Sequence, residues 1–584
     1  GNISMYSNTT GSSSVGVGAN SLQANTTGGE NTGLGMQALT SNTTGTNNVA
    51  VGLYALGSNT TASENTAVGR SSLHVNTTGT RLAAVGYQSL YANTTGQRSS
   101  ALGWGALKAN TTGNYNTAIG DIALYANTTG SNNTGIGMGT LEANTTGANN
   151  SAVGSESLKS NTTGYQNTAM GKMALGSNTT GHRNTAVGDI ALDANTTGYY
   201  NVALGQDSMG ANTDGHSNTV VGHEALKANT TGDTNVAVGN GALTTNTTAN
   251  DNVAIGANAL RLNTTGASNV ALGKSAMDVN TTGGSNVAVG QGALAANTTA
   301  SNNTAVGINA LSSNTTGEGN SSLGSGCGRD LTTGYSNVAV GYNTLLQATT
   351  SYQNICIGHD AAVAGTTMNR SVMVGHQAGA ASTTGDHNVF IGQKAGYHGT
   401  NNTTGSNSIF IGAYAHGNTG GANLQNVLGY NVEGSNETFT FGASATDSRI
   451  AHGATSISAP SDQRLKEEIT TSTAGLSFVN DLRPVTFKWK KEKDIPTDMN
   501  GYVEGSETRF KTDTTEHGFI AQEVKTAIDA HAEIKDGFDM WTEDSTGGRQ
   551  RVADGALVPI LVKAIQELSA KNEALLTRIE ALEG

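Results

Sequence analysis

The sequence predicts a repetitive β-solenoid followed by a small α+β domain, and three observations support this prediction. A 17-residue unit repeats 23 times without insertion between Asn8 and Ser382, with the pattern N-T-T-G-x-x-N-x-A-V-G-x-x-A-L-x-A. Gly, Asn and Thr dominate the unit, which favours turns and strands over helix. The composition also changes near residue 460, because 39 of the 73 charged residues lie in the last 124 positions and all 4 prolines lie at or after Pro460.

The repeat places apolar residues and glycine at fixed positions. We number the unit from the Asn of Asn-Thr-Thr and call the residues that share one position a row. Row 10 is Val, Ile, Leu or Met in all 23 units, row 11 is always Gly, and row 15 is Leu or Met from Leu22 to Leu311. One or two apolar residues per coil cannot form a core alone, so we expect stacked coils to bury these rows. The Gly suits a corner that needs positive φ or close backbone approach.

Stacking at one coil per repeat has further consequences. Parallel strands lie about 4.8 Å apart, so the 23 coils would form a rod roughly 110 Å long. Identical Asn and Thr side chains would stack into hydrogen-bonded ladders. We therefore interpret the Asn-Thr-Thr triplets as structural ladders rather than glycosylation sites. Cys327 and Cys356 occupy rows that are usually Ala, and we expect both to be buried small side chains.

The repeat resembles a known family of adhesin domains. The segments DNVAIG (251–256) and SNVAVG (285–290) are similar to the head repeats of trimeric autotransporter adhesins. That resemblance implies a β-roll, with three chains packed around one axis. We expect residues 1–405 to form the rod and residues 406–460 to form a β-rich junction or fibre tip, with the short strand patterns SIFIGAYA, NVLGYNV and TFTFGAS.

Several classes of function are disfavoured by composition and pattern. The net charge of −13 argues against a general nucleic-acid binder. No apolar run is long enough for a membrane-spanning helix, and the first residues lack the pattern of a secretory signal. The repeat lacks the Asp per turn of calcium-binding solenoids, so we predict no metal and no cofactor. Tyrosines at variable positions are expected to face solvent, with sugar stacking at a receptor site as the open alternative: Tyr54, Tyr87, Tyr125, Tyr165, Tyr199 and Tyr200.

The C-terminal segment begins with a Ser and a Lys five residues apart, in SDQRLK (461–466). A Ser hydroxyl becomes a nucleophile when a base removes its proton, and a Lys can be that base when desolvation or a neighbouring cation favours its neutral form. The two side chains could face each other across a turn.

Four motifs in order resemble one self-cleaving family: SDQRLK (461–466), LRPVTFKWK (482–490), HGFIAQEV (517–524) and LVPILVKAIQEL (557–568). They are similar to the intramolecular chaperone auto-processing domain of phage tailspikes and tail fibres. The resemblance implies that three copies of residues 461–584 assemble, fold the upstream rod and are then cut off.

The same resemblance assigns roles to residues. Ser461 would be the nucleophile and Lys466 its general base, with the cut between Ser461 and Asp462 rather than before Ser461. Supporting roles are open for Arg464, His517, Gln522 and Glu523. The predicted enzymatic activity is this self-cleavage alone, with no external substrate.

A heptad pattern predicts a coiled-coil helix at about 556–583. The a positions are Val558, Ile565, Asn572 and Ile579, and the d positions are Leu561, Leu568, Leu575 and Leu582. Isolated peptides of this kind favour two strands, whereas the family resemblance implies three, and we follow the resemblance. A surface helix packed on its own domain is the alternative.

The sequence thus predicts a homotrimeric phage tail fibre in the virion that binds a host receptor, either a glycan or a surface protein. A bacterial cell-surface adhesin with the same self-cleaving chaperone is the alternative, and an ice-binding solenoid is a minor one. A polysaccharide-degrading tailspike would need clustered carboxylates in a cleft, which the repeat does not suggest.

Overall fold

The computed structural model describes residues 2–397, 402–421, 423–444, 446–454, 457–458, 461, 463, 466–497, 499, 501–535, 538–543 and 550–584. The chain divides into two compact units, Gly1–Pro460 and Ser461–Gly584, which we call the solenoid unit and the C-terminal unit. The division falls where the charge density changes. Among the described residues, no helix is both long and apolar enough to cross a membrane.

The solenoid unit is built from one three-residue strand per repeat. Strands β1 to β24 are Val15–Val17, Thr32–Leu34, Val49–Val51, Thr66–Val68, Ala83–Val85, Ser100–Leu102, Thr117–Ile119, Thr134–Ile136, Ser151–Val153, Thr168–Met170, Thr185–Val187, Val202–Leu204, Thr219–Val221, Val236–Val238, Val253–Ile255, Val270–Leu272, Val287–Val289, Thr304–Val306, Ser321–Leu323, Val338–Val340, Ile355–Ile357, Val372–Val374, Val389–Ile391 and Ile409–Ile411. They are followed by β25 to β29, at His416–Gly417, Asn426–Tyr430, Glu433–Gly434, Thr438–Ala443 and Thr446–Ala451.

Each strand pairs in parallel with the strand of the next repeat, row against row. In β10 and β11, for example, Thr168 faces Thr185 and Met170 faces Val187. The parallel ladder continues through β24, β26 and β28, where the register steps by 20 residues into β24, 17 into β26 and 13 into β28. The antiparallel pairing of β28 with β29 then closes a 27-stranded sheet. The mainly β solenoid that the repeat predicted is confirmed.

The core of the solenoid differs from the prediction in one row. Row 15 is buried as expected, with Leu175 and Leu192 fully inaccessible to solvent. Row 10 is not buried in any of the 24 three-residue strands, and Met170 is 48% exposed. The inward residue of each strand is in row 9, which is Ala in most coils, such as Ala169. Side chains alternate along a strand, so an inward Ala sends rows 8 and 10 outward.

The invariant Gly of row 11 has the conformation that the sequence predicted. Gly18 and Gly188 have φ values of +126° and +142°, a region that side chains disfavour. An ideal Cβ on Gly188 would lie 2.6 Å from the carbonyl carbon of Gly205 in the next coil and closer still to its oxygen. Row 11 therefore requires Gly for two reasons, its positive φ and the close approach of the next coil.

Asn side chains form two buried ladders inside the coil. In row 1, Asn178 Nδ2 donates to Asn161 Oδ1 at 2.8 Å and to the Gly181 carbonyl at 3.0 Å. In row 7, Asn184 donates from its side chain to the Gly198 carbonyl at 2.8 Å. The row 1 Asn residues from Asn25 to Asn314 are buried, so the structural interpretation of the Asn-Thr-Thr triplets is confirmed.

The core is rebuilt towards the C-terminal end of the solenoid. Leu331 replaces the row 1 Asn, and Asn314 Oδ1 accordingly has no hydrogen-bond partner among the described residues. Phe390 and Phe410 in row 9 stack at 4.7 Å, and an ideal Cβ on Gly396 in row 15 would lie 2.7 Å from the Phe390 ring. The Phe390 ring thus occupies the space that a side chain in row 15 of its own coil would need.

The two cysteines are buried, as expected. Cys327 donates from Sγ to the Ala339 carbonyl at 3.0 Å. Burial raises the pKa of the Cys327 thiol to about 11 and also raises the pKa of Cys356, which keeps both protonated at neutral pH.

The C-terminal unit is small and mixed. Its helices are α1 (Leu476–Asp481), α2 (Ala521–Ala530) and α3 (Val558–Glu583). Two antiparallel pairs join β30 (Val485–Phe487) to β31 (Glu516–Gly518), and β32 (Trp541–Glu543) to β33 (Gln550–Val552), and short 3-10 turns cover Glu492–Asp494 and Asp554–Leu557. Its core gathers Ala474, Phe478, Val524, Ala527, Ile528, Ile534, Met540, Leu557 and Ile560.

Candidate self-cleavage site

Ser461 and Lys466 are hydrogen-bonded at the start of the C-terminal unit. Lys466 Nζ donates to Ser461 Oγ at 2.7 Å. The backbone N–H of Lys466 also donates to the Gln463 carbonyl at 3.1 Å. Both residues are exposed in the single chain. The geometry satisfies the first requirement of a Ser/Lys dyad, which is a base within hydrogen-bond reach of the nucleophile.

The other sequence-predicted residues do not contact this pair among the described residues. Glu523, in the first turn of α2, accepts a hydrogen bond from Arg483 Nε at 2.9 Å, and this guanidinium lowers the pKa of the carboxyl. His517 is exposed on β31 opposite Thr486, and Gln522 is exposed on α2. The structure thus shows a bracing ion pair for Glu523. Asp462 and Arg464 lie outside the described residues.

The segment that contains the dyad has a family assignment. Residues 461–533 match the family model described as chaperone of endosialidase. No curated protein matches the chain. The matched segment contains α1, β30, β31 and α2, and we call residues 461–533 the chaperone domain. A β-solenoid followed by such a domain is the organisation of a fibre-like protein with an intramolecular chaperone.

A buried histidine links two helices of the chaperone domain. His531, directly after α2, contacts Asp481 at the end of α1 through Nε2 at 2.8 Å and Glu533 through Nδ1 at 3.1 Å. Its side chain is 10% exposed, and its ring packs edge-on against Phe478. The two carboxylates, Asp481 first, raise the pKa of His531. No local pattern in the sequence indicates this contact.

The raised pKa predicts a pH-dependent effect of Asp481→Asn. The His531 ion pair stabilises the fold below the unfolded-state pKa of about 6.5, and this contribution is lost as the pH rises through the raised folded-state pKa. Asp481→Asn should therefore lower the melting temperature of the C-terminal unit more at pH 5.5 than at pH 8.5, by scanning calorimetry of the whole chain.

Asp529→Asn is the matched control for this prediction. Asp529 pairs with Lys525 on α2 and involves no histidine. Its effect on the melting temperature should be equal at the two pH values. An equal effect of Asp481→Asn at both values would contradict the assigned role of His531.

Helix α3 leaves its predicted heptad seam exposed. Ile560 and Ala564 are its buried residues, and Glu567 Oε2 accepts a hydrogen bond from the Leu476 N–H at the start of α1 at 2.9 Å. Beyond Glu567 the helix has no buried residue, and Leu568 and Leu575 are 48% and 55% exposed. The first turns thus pack on their own unit, and the rest presents an unpartnered apolar seam.

The solenoid unit carries a second apolar surface. Rows 8 and 10 of strands β1 to β24 point outward, and row 8 holds Val, Ile, Thr, Ser or Ala without a single charge. We call these two rows the outer stripe. Single exposed apolar residues are ordinary, but a continuous uncharged stripe of this length is a candidate interaction surface.

Proposed function

We propose that this protein is a homotrimeric phage tail fibre that binds a host receptor, and that its C-terminal unit cuts itself off after directing assembly. The observation that carries the proposal is the 2.7 Å hydrogen bond from Lys466 to Ser461 in a chaperone domain that directly follows the solenoid. The solenoid would be the mature fibre of the virion.

Two apolar surfaces favour three copies over one. The outer stripe would face the axis of a trimer, where each chain buries its rows 8 and 10 against the other two. The heptad seam of α3 would pair in the same assembly.

Identical coils leave the register of such a rod weakly specified, since a slip by one repeat matches every row again. A trimeric clamp at one end fixes the register before the coils pack.

The position of the cut decides which oxygen attacks. Ser461 Oγ cannot reach the carbonyl carbon of its own residue without a strained four-membered ring. For a cut between Ser461 and Asp462, we propose that the hydroxyl of Ser461 from a second copy attacks that carbon. Lys466, as the neutral amine, takes the hydroxyl proton and passes it to the departing nitrogen of Asp462, and water then hydrolyses the ester.

This chemistry couples cleavage to assembly. Lys466 is exposed in the single chain. Burial against neighbouring copies would remove water from its amine, which favours the uncharged form that a base requires, and would also bring a second Ser461 within reach. The uncut chain would then persist until three copies have met, and cleavage would leave a rod whose stability is kinetic.

Fragment masses test the proposal. The wild-type chain should release a C-terminal fragment of 123 residues, resolved by mass spectrometry from the 124 residues that a cut before Ser461 would release. Ser461→Ala and Lys466→Ala should each slow release by more than about 1,000-fold, because the nucleophile and its base act as one unit.

Ser472→Ala is the control, since Ser472 is an exposed serine of the same domain and should leave cleavage unchanged. Cleavage in Ser461→Ala, or an intact wild type that has already trimerised, would contradict the dyad. A 124-residue fragment would instead assign attack on the carbonyl of residue 460 within one chain.

A further inference from the structure

Two of the aromatic arrangements in the solenoid differ in how far their rings overlap, and the first is a closed ladder. Tyr165, His182, Tyr199 and His216 share row 5, with ring centroids 4.7, 5.1 and 4.7 Å apart and planes within 19° of parallel. Each ring covers the face of the next. The ladder therefore offers ring edges to a ligand along its length, and Tyr165 and Tyr199 are ordered partners rather than scattered surface residues.

The second arrangement is an offset strip. Tyr87 and Trp104 in row 12 lie 6.1 Å apart with planes 13° from parallel, and Trp104 and Tyr125 lie 6.3 Å apart with planes 11° from parallel. At ordinary contact between ring planes, these distances imply a lateral shift of about 5 Å, so neighbouring rings leave much of each face uncovered. Trp104 is 48% exposed and Tyr87 is 38% exposed.

Neighbouring residues fix the rings of this strip. An ideal Cβ on Gly105 would lie 3.1 Å from Tyr125 Cε2, so the Tyr125 ring rests against a backbone that carries no side chain. Lys108 Nζ donates to the Tyr125 hydroxyl at 3.0 Å. Arg70 lies 6.0 Å from the centroid of Tyr87. Rings held in this way lose little entropy when a ligand covers them.

We infer that the strip of Tyr87, Trp104 and Tyr125 binds a linear oligosaccharide that runs along the solenoid. A pyranose ring has an apolar face of C–H groups that packs on an aromatic face, and hydroxyls at its edge that need polar partners. Arg70 and Lys108 supply donors beside the strip. The inference rests on the proposed function and names the receptor class as glycan.

The composition of row 12 separates this strip from the outer stripe. Row 12 carries charged residues in several coils, among them Asp121, Lys172 and Asp189, and Asp121 lies in the same coil as Tyr125, which is in row 16. Charged residues are depleted at the centre of subunit interfaces, so row 12 is not a row that copies of the chain cover throughout. The strip is therefore available to a ligand in the trimer.

An oligosaccharide array tests the inference on the full-length protein. The probes are linear neutral and acidic oligosaccharides, from trisaccharides to octasaccharides, with dissociation constants of the hits measured by calorimetry. Trp104→Ala should weaken binding by at least about tenfold, because it removes the central platform. Tyr165→Ala, at a closed ladder, is the matched control and should leave binding unchanged.

The readouts also separate this inference from the proposed function. Absence of binding to every oligosaccharide, or equal binding by wild type and Trp104→Ala, would overturn the glycan site while trimerisation and release of the C-terminal fragment proceed. If Trp104→Ala instead lowers the trimer fraction, the strip is a contact between copies, and the inference is wrong.

Discussion

Gly188→Ala is expected to break the solenoid at a single coil. The backbone there has φ of +142°, and the new methyl carbon would lie 2.6 Å from the carbonyl carbon of Gly205. The backbone strain and the collision together should destabilise this coil by at least about 4 kcal/mol. The same close spacing recurs at the next coil, where a Cβ built on Gly205 would lie 2.6 Å from the carbonyl carbon of Gly222.

The measurement is the yield of soluble protein and the site of limited proteolysis. Gly188→Ala should lower the yield at least about tenfold and expose a cut near the substituted coil, since the stability of repeat arrays is a sum of local terms. Gly29→Ala is the matched control. Gly29 lies in row 5, where Ala148 and Ala267 stand in other coils, and its new Cβ would lie 3.2 Å from the nearest atom. Equal yields for the two variants would contradict the steric argument.

The sequence predicted the solenoid because its strongest constraints are local and repeated. Row 11 needs Gly because of its backbone conformation, and the Asn ladder needs one Asn per coil. Both requirements therefore appear as fixed residues in the 17-residue repeat. The direction of row 10 was not readable in this way. Row 10 is usually Val and row 9 usually Ala, so the larger apolar side chain was expected inside. In the structure the coil encloses Ala169 of row 9 and Leu175 of row 15, and Met170 of row 10 lies outside.

The repeat pattern also did not show how side-chain size in row 9 compensates for its loss in row 15. The sequence shows Gly379 and Gly396 where other coils have Leu, but only the fold shows the row 9 side chains Met373 and Phe390 in the vacated space. In the C-terminal unit, the six-residue motif SDQRLK suggested the Ser461–Lys466 pair, and the resemblance carried by four motifs in order assigned its roles. The contacts of Glu523 with Arg483 and of His531 with Asp481 join residues 40 and 50 positions apart, and no local pattern encodes them.

The double substitution Leu568→Asp and Leu575→Asp is expected to abolish trimerisation. Both residues are d positions of α3, and both are about half exposed in the single chain. Charge at two successive core layers of a coiled coil would leave like carboxylates facing one another without compensation. If α3 is the clamp that sets register, the solenoid units should then fail to pack along their outer stripes, and the chain should remain uncut.

Light scattering coupled to size exclusion and the fragment mass give the two readouts. Ala570→Asp with Thr577→Asp is the matched control, because it adds the same charge at the same spacing on the exposed side of the heptads and should leave trimer and cleavage intact. Release of the 123-residue fragment from a monomeric double variant would contradict attack by a second copy. A double variant that still trimerises would show instead that the outer stripe assembles the rod without the clamp. Cleavage by a second Ser461 requires assembly. Loss of trimer formation together with loss of fragment release is therefore the outcome that supports the coupling of cleavage to assembly.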